Sequence, residues 1–473
     1  MSPPKWCTSP LHCLTNTITT RRIMKRREFI KNSAAIAAGS IFAPYILPSG
    51  RLFAKTPSPM AGHVVYVLFG GGVRQQEATL QRYLADSQGI DIEGNIMYNM
   101  LTGAPPEAKI AYGTNLPGQT TGSEPIPQIL SKTIQEQGIL FPELRFSKSG
   151  TGHFTGLNTL VTGNYGVNQG LKQRPIYPSI FEYARKHLDI PATKTWFVGN
   201  TIGNSVPLLN YSNHPDYGER YGGNFIEPNI TFGNYGNKYL ANSKVFHPEE
   251  QLAPIEEMRL FLNNSYSTVA SGVSGVKNTF EERQDIKNFL KVTLEKTKQG
   301  QISFPPGAGG GDLRTVGYAC EVMKWFKPTV TVVNMSSVDA CHGNYTGYLK
   351  SLHRADHAVG HLWNYIQTQI PEMAGNTAIV VTPEHGRNYE PNPILDENNW
   401  ASFDHDSDAN SRRVFGMIAG PGMPTNLSVG TESNPVGDSS DCVPTIAEFL
   451  GIKSEVMGAG LLDANAKSWF DRI

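Results

Sequence analysis

Residues 379–388 read IVVTPEHGRN, residues 403–413 read FDHDSDANSRR, and residues 414–422 read VFGMIAGPG. The run from Thr377 to Val381 is short, β-branched and free of charge, as suits a strand buried on both faces. It ends at Pro383, and Glu384, His385 and Gly386 follow at once. A second apolar run, Val414 to Ala419, begins nine residues after His405 and closes on Gly420-Pro421-Gly422. Two buried strands thus each carry a His-bearing loop at one end. In open parallel sheets chemistry gathers at the carboxyl ends of the strands, and Glu384 and His385 occupy such an end.

Further strands repeat this logic. His63 to Phe69 (HVVYVLF) is a continuous apolar strand that stops at Gly70-Gly71-Gly72. The glycines read as a tight turn; a phosphate-cradling loop is the sharper alternative, but no helix with Lys-Ser/Thr follows. Thr329 to Met335 is another buried strand, and the segment after it carries Asp339 and His342. A carboxylate oxygen and an imidazole nitrogen three residues apart can face one cation, and the pair suits Zn²⁺, Mn²⁺ or a similar ion. Helices are expected over Thr155–Val161, over Tyr177–Ala184 with Ser179 near its start, over Leu313–Trp325 and over Tyr348–Gln369. Trp196–Val198 reads as a strand. Gln75–Leu84 and Ile129–Gln137 read as short helices, and Pro117–Gly122 as loop. His353, His357 and His361 fall on one face of the Tyr348–Gln369 helix. With no third local ligand they read as a solvated face.

Length and composition narrow the class. A chain of 473 residues with 39% apolar content, 47 Gly and 32 Pro is globular and loop-rich. Lys+Arg and Asp+Glu number 41 each, leaving no basic excess to meet the phosphates of a nucleic acid. The cysteines, at 7, 13, 320, 341 and 442, show no C-x-x-C spacing, so they are no zinc framework, and disulfides stay open.

The first 57 residues read as an N-terminal tail and targeting segment. Lys25-Arg26-Arg27-Glu28-Phe29-Ile30-Lys31 matches the twin-arginine export pattern, and a mildly apolar run from Ala34 to Leu47 follows. That run is too short for a stable membrane span. Met24 offers an alternative start just ahead of the signal. The expected location is periplasmic or otherwise exported, with the twin-arginine machinery as a partner. Residues 55–62 read as a linker to the domain that occupies 63–473.

Several motifs resemble those of the alkaline phosphatase superfamily, which includes sulfatases, nucleotide pyrophosphatases and phosphoglycerate mutases. Thr382-Pro383-Glu384-His385-Gly386 is similar to its (S/T)-x-D-H-G element. His385-Gly386-Arg387-Asn388 with Asp404-His405 resembles a less characterised, twin-arginine-bearing branch with E-F-G-R-T … D-H. Leu160-Val161-Thr162-Gly163-Asn164-Tyr165 resembles the L-x-T-G-x-Y that follows the nucleophile. The Pro444-Thr445-Ile446 helix and Gly458–Leu462 resemble the closing elements. The resemblance covers roughly residues 63–198 and 313–465. It implies an α/β three-layer sandwich, with a mostly parallel sheet and helices on both faces; residues at about 200–310 fall outside it, break the rhythm with Asn, Gly and Tyr, and read as an inserted cap, loop first and helices after.

By the same resemblance, Asp339, His342 and His405 hold one metal, and Glu384 with His385 forms half of a second site. The divalent ion is expected to be Zn, Mn or Ca, and a single ion is enough to act. Glycine stands where the family places a metal-binding Asp after the first strand. The nucleophile position falls near His153, with Thr151 and Ser149 close by, and no hydroxyl sits squarely on it. Arg387, with Arg412 and Arg413, is a candidate clamp for an anionic oxygen. Arg74 is a further candidate that reads as a surface residue. Two function classes follow: an exported metal-dependent hydrolase of phosphate or sulfate esters, acting on an anionic ester, or a non-catalytic relative that binds an anionic ligand or partner.

Overall fold

The stretch HVVYVLF forms β1 (His63–Phe69), and from Val64 onward every residue of it is buried. The computed structural model describes residues 58–83, 92–106, 125–167, 174–199, 206–233, 276–307, 310–406 and 408–473, all within the unit Pro57–Ile473. Lys25–Lys31, Ala34–Leu47, Pro117–Gly122, Cys7 and Cys13 lie outside the described residues.

Beyond β1, a small ribbon pairs β2 (Arg82–Tyr83) with β3 (Ile92–Glu93). The other strands are β4 (Gly138–Arg145), β5 (Thr195–Gly199), β6 (Asn224–Ile226), β7 (Val330–Met335), β8 (Thr377–Pro383), β9 (Arg413–Ala419) and β10 (Leu427–Ser428). With β1 they make one sheet in the order β10-β4-β9-β8-β1-β7-β5-β6. Every pairing is parallel except those of β9, which runs antiparallel to both β4 and β8.

The helices are α1 (His153–Thr162), α2 (Ile180–Leu188), α3 (Phe280–Lys298), α4 (Gly311–Phe326), α5 (Tyr345–Gln369) and α6 (Cys442–Phe449), with short turns between. Side chains alternate across a strand, so β1 feeds two cores. Val65, Val67 and Phe69 pack with residues of α3, α4 and α5, while Val64, Tyr66 and Leu68 pack with residues of α1, α2 and α6. The three layers expected from the sequence are therefore present, with helices on both faces of a mostly parallel sheet.

Local expectations fail where polar letters are buried. The described part of the expected Gln75–Leu84 helix, residues 75–83, is not a helix but a run of turns leading into β2, with Gln81 at φ 53°. Its Gln75 amide donates to the Pro142 carbonyl and Gln76 pairs with Asn410, contacts that a regular helix would not reach. Of Ile129–Gln137 only Ile134–Gln137 is helical, started by a Thr133/Glu136 capping box. β4 follows at once, and the sheet register shifts between Phe141 and Leu144, around Pro142. Within 200–310, β6 extends the main sheet and α3 buries Phe289, Leu290 and Leu294 in the main core. The end of the 55–62 segment is docked, since the Met60 and Ala61 amides donate to the Phe449 carbonyl. Cys320, Cys341 and Cys442 are buried free thiols. No described helix is long and apolar enough to cross a membrane.

The histidines of α5 are a second correction, because they do not form a solvated face. His353 and His357 are buried, both rings lie against Tyr98, and His361 points Nε2 at the Ser303 carbonyl. His353 uses both ring nitrogens: Nε2 accepts from the Ile126 amide, which leaves Nδ1–H to donate to the Ile96 carbonyl. Only the neutral ring can do both. Burial, His357 and Arg354 push its pKa from 6.5 to about 3, against the Ile96 hydrogen bond. As pH falls below 6.5 the unfolded chain takes up this proton and the folded chain does not, so stability declines across that window. In urea unfolding, a His353→Gln protein should show a shallower decline over the same range; an unchanged slope would remove His353 as the cause. The neighbouring Asp356 is structural, accepting from the Asn99 and Met100 amides and from the Asn99 side chain.

Candidate metal centre

Five segments meet at one edge of the sheet because of strand direction. β1, β7 and β8 end there, delivering Gly70–Gly72, the turn Ser337–His342, and Glu384 with His385. β4 also ends there and leads through Ser147–Gly152 to His153, the first residue of α1. β9 runs the other way, so it is the segment entering it, with Asp404 and His405, that comes to this edge.

The glycines make the close approach possible. A Cβ on Gly71 would stand 2.6 Å from the backbone and Cβ of Asp339, and one on Gly72 would stand 2.3 Å from His385 Nδ1. Both take positive φ, at 104° and 77°, where side chains are strained. Of the two positions, Gly70 and Gly71, at which the family resemblance expects an aspartate, Gly71 has no room for one. The Gly71 amide donates to Glu384 Oε1 at 2.5 Å, so it is not free to cradle a phosphate.

Asp339 and Glu384 are the two negative poles. Asp339 Oδ1 accepts from Arg387 Nη2 at 2.9 Å and lies 3.2 Å from His342 Nε2 and 3.4 Å from His153 Nε2. Burial opposes its ionisation, but the His342 hydrogen bond, His153 and Arg387 hold its pKa well below the usual carboxylate range. Glu384 is fully buried, with Oε1 2.6 Å from His153 Nδ1 and 3.0 Å from His385 Nε2. Burial again works against the charge, yet His153 and His385 bring the pKa down to about 2. His153 is raised, since Glu384 and Asp339 outweigh burial. His342 is raised too, by Asp339 and then, against burial, by Asp404.

His405 behaves in the opposite way. Burial, His385, His153 and Arg387 push it down to about 2, so it stays neutral and keeps a lone pair to share. Its ring stacks on His385 with centroids 4.1 Å apart.

The set divides into two groups that share one residue. Ligand atoms of His153, Asp339, His342 and His405 lie within 4.8 Å of one another, and so do those of His153, Glu384 and His385. Asp339, His342 and His405 are thus brought together, as are Glu384 and His385. A divalent cation fits what is missing. Glu384 Oε2 and His405 Nδ1 are buried without any hydrogen-bond partner, where buried polar atoms are normally paired. Three carboxylates (Asp339, Glu384 and Asp404) converge on the imidazoles of this site, and Arg387 pairs with Asp339 among them. His385 also turns Nδ1 to the Gly386 carbonyl at 2.7 Å, which leaves Nε2 facing Glu384 Oε1.

The hydroxyl and arginine roles expected from the sequence are not what the structure places. The Thr151 hydroxyl donates to the His405 carbonyl, and that of Ser149 to the Tyr165 carbonyl. Arg387 is fully buried, and its guanidinium is spent on the Gly71, Gly72 and Phe403 carbonyls and on Asp339. It braces the site from behind and is not an open anion clamp. Arg412 holds the Phe146 and Ser149 carbonyls, and Arg413 pairs with Glu143 and Glu432. Arg74 is buried against Glu77 and is no surface residue.

Sequence reading gave Asp404 no role of its own, although its place directly before His405 was the available signal. Its Oδ1 lies 2.7 Å from His342 Nδ1, which directs His342 Nε2 toward Asp339. Carboxylates placed behind a ligating imidazole in this way typically govern metal affinity or activity by roughly 10–100-fold. An Asp404→Ala protein should therefore bind Zn²⁺ some 10–100-fold more weakly by competition with a chromophoric chelator. Unchanged affinity would show that Asp404 does not position His342.

No protein-family model and no curated protein sequence matches the chain. Solved structures do match. The alkaline phosphatase PafA, crystallised as a variant, aligns at 11% identity and a TM-score of 0.43, covering 88% of this chain and 99% of that one. The chain is similar in structure to members of the alkaline phosphatase superfamily. A superfamily protein from Vibrio parahaemolyticus aligns at 11% identity and a TM-score of 0.38, over 87% of this chain and 71% of that one. The TAB5 alkaline phosphatase, a variant with Mg bound, aligns at 13% identity and 0.36, over 84% and 99%.

Proposed function

We propose that this chain is an exported, metal-dependent hydrolase of phosphate or sulfate esters. The observation that carries the reading is the pair of His/Asp/Glu groups, with two unpartnered buried atoms, at the carboxyl edge of the sheet. The twin-arginine motif at Lys25–Lys31 supports the export part. When bound, a divalent ion supplies Lewis-acid polarisation of the ester oxygen and lowers the pKa of water.

The chain's own residues divide the remaining work. Glu384, His385 and Arg387 form a dry floor, with side chains 0% exposed, while Asp339 at 31% and His342 at 39% form the open rim. The ester enters from that rim. Arg387 keeps Asp339 ionised, the Gly71 amide fixes Glu384, and Asp404 holds the His342 ring in place. In the overall step a water oxygen bonds to phosphorus or sulfur, the ester P–O or S–O bond breaks, and the leaving oxygen takes a proton.

The test is elemental analysis of protein recovered from the periplasm, paired with hydrolysis of p-nitrophenyl phosphate, bis-p-nitrophenyl phosphate and p-nitrophenyl sulfate. Bound Zn, Mn or Ca is expected, with turnover of at least one ester that stops with a chelator and returns with the ion. Protein confined to the cytoplasm would end the export part. A folded, metal-free and inert protein would leave the non-catalytic binder as the reading.

A further inference from the structure

His153 belongs to both ligand groups, and its two nitrogens face different ones. Nδ1 lies 2.6 Å from Glu384 Oε1 and 3.5 Å from His385 Nε2, while Nε2 lies 3.4 Å from Asp339 Oδ1. Ligand atoms around a tetrahedral zinc, with bonds near 2.0–2.1 Å, sit about 3.4 Å apart. On the Nε2 side, the separations from Asp339 Oδ1 to His153 and His342 are 3.4 and 3.2 Å. On the Nδ1 side, His385 Nε2 stands 3.0 Å from Glu384 Oε1 and 3.5 Å from His153 Nδ1. Among these separations, only the 2.6 Å contact from His153 to Glu384 would have to open.

The geometry points to His153 as a bridging ligand that joins two divalent ions through one imidazole, Asp339, His342 and His405 completing one site and Glu384 and His385 the other. This rests on the hydrolase reading and extends it. To give a lone pair from each nitrogen the ring releases its N–H proton to solvent. His153 then supplies the third ligand that the Glu384/His385 pair lacks, in a chain with glycine at 70, 71 and 72. Its place as the first residue of α1, between the turn bearing Asp339 and the end of β8, makes it accessible to both sides. Two ions, set against three carboxylates, the imidazolate and Arg387, leave a small net positive charge, suited to an anionic ester.

The experiment counts ions and detects their coupling. Metal-free full-length protein is titrated with Zn²⁺ by calorimetry, and separately loaded with Cu²⁺ for electron paramagnetic resonance. The wild type should take two Zn²⁺ per chain, and its copper form should give a weakened signal, because an imidazolate couples the two spins. His153→Ala should take one Zn²⁺ and give the full signal of an isolated Cu²⁺. His385→Gln, which dismantles only the Glu384 side, should do the same, and it serves if His153→Ala does not fold.

One Zn²⁺ in the wild type, or two retained in His153→Ala, would overturn the bridge. So would two uncoupled copper ions in the wild type. A protein with one ion that still hydrolyses aryl esters would lose the bridge and keep the hydrolase reading. One with two coupled ions and no turnover would keep the bridge and lose that reading.

Discussion

An Asp339→Asn protein should fold normally and lose ester hydrolysis by more than the roughly 10–100-fold expected of a residue that only supports a ligand. One oxygen of Asp339 is the meeting point of Arg387, His342 and His153. Asparagine keeps an oxygen for the Arg387 hydrogen bond, so the buried guanidinium retains an acceptor and the sheet edge retains its brace. What goes is the charge. Asp339 is the only carboxylate in the group with His153, His342 and His405, so the variant leaves that group without one. A hard divalent ion binds such a set more weakly. Circular dichroism and the urea midpoint check the fold, and initial rates on the best aryl ester check the loss. Activity within tenfold of wild type would remove Asp339 from the machinery.

Breaking the Arg74–Glu77 pair should cost about 3–5 kcal/mol of stability, the range for stripping one partner from a buried ion pair. Arg74 donates Nε and Nη2 to the Glu77 carboxylate at 2.6 to 3.0 Å, and both side chains are at most 1% exposed. Tyr345 adds a hydrogen bond to Glu77 at 2.9 Å, and the guanidinium lies 3.8 Å over the Phe403 ring. Burial opposes the arginine's charge, but Glu77 outweighs it and raises the pKa. Arg74→Ala leaves the buried Glu77 carboxylate with the Tyr345 and Tyr348 hydroxyls but without its guanidinium. Arg74→Met combined with Glu77→Gln removes both charges and should recover most of the loss. Guanidinium unfolding of the two proteins measures the difference; a single variant as stable as the double would show that the pair contributes little.

These two predictions rest on residues that differ in how readily their sequence could be interpreted. Strands buried on both faces read as unbroken apolar runs, so β1, β7 and β8, with the polar residues at their ends, were visible. β4 was not, because Pro142 and Glu143 interrupt GILFPELR. The direction of β9 was not either, since an apolar run has no arrow. Asp339, His342, Glu384, His385 and His405 could be picked out because each stands beside a strand end or strand start. The division of His153 between two groups is a fact of three-dimensional placement. Charged and polar letters misled most. Arg74, Arg387, His353 and His357 all read as solvent-facing or ligand-facing, yet each is buried on a partner that lies mostly far away in sequence. Glu77, three residues after Arg74, was the one local clue.

The reversed strand also sets an order of events. β9 fits between β4 and β8, so the edge that carries His153 and His405 exists only after chain from opposite ends of the domain has met. Contacts of such separation form late and slowly. An ion cannot nucleate this fold, because no two neighbouring loops hold a complete set of donors. It can only arrive at a finished protein and then slow its opening, drawing the equilibrium toward the native state by mass action. An ion bound as proposed would therefore hold the assembled edge closed and would not seed it.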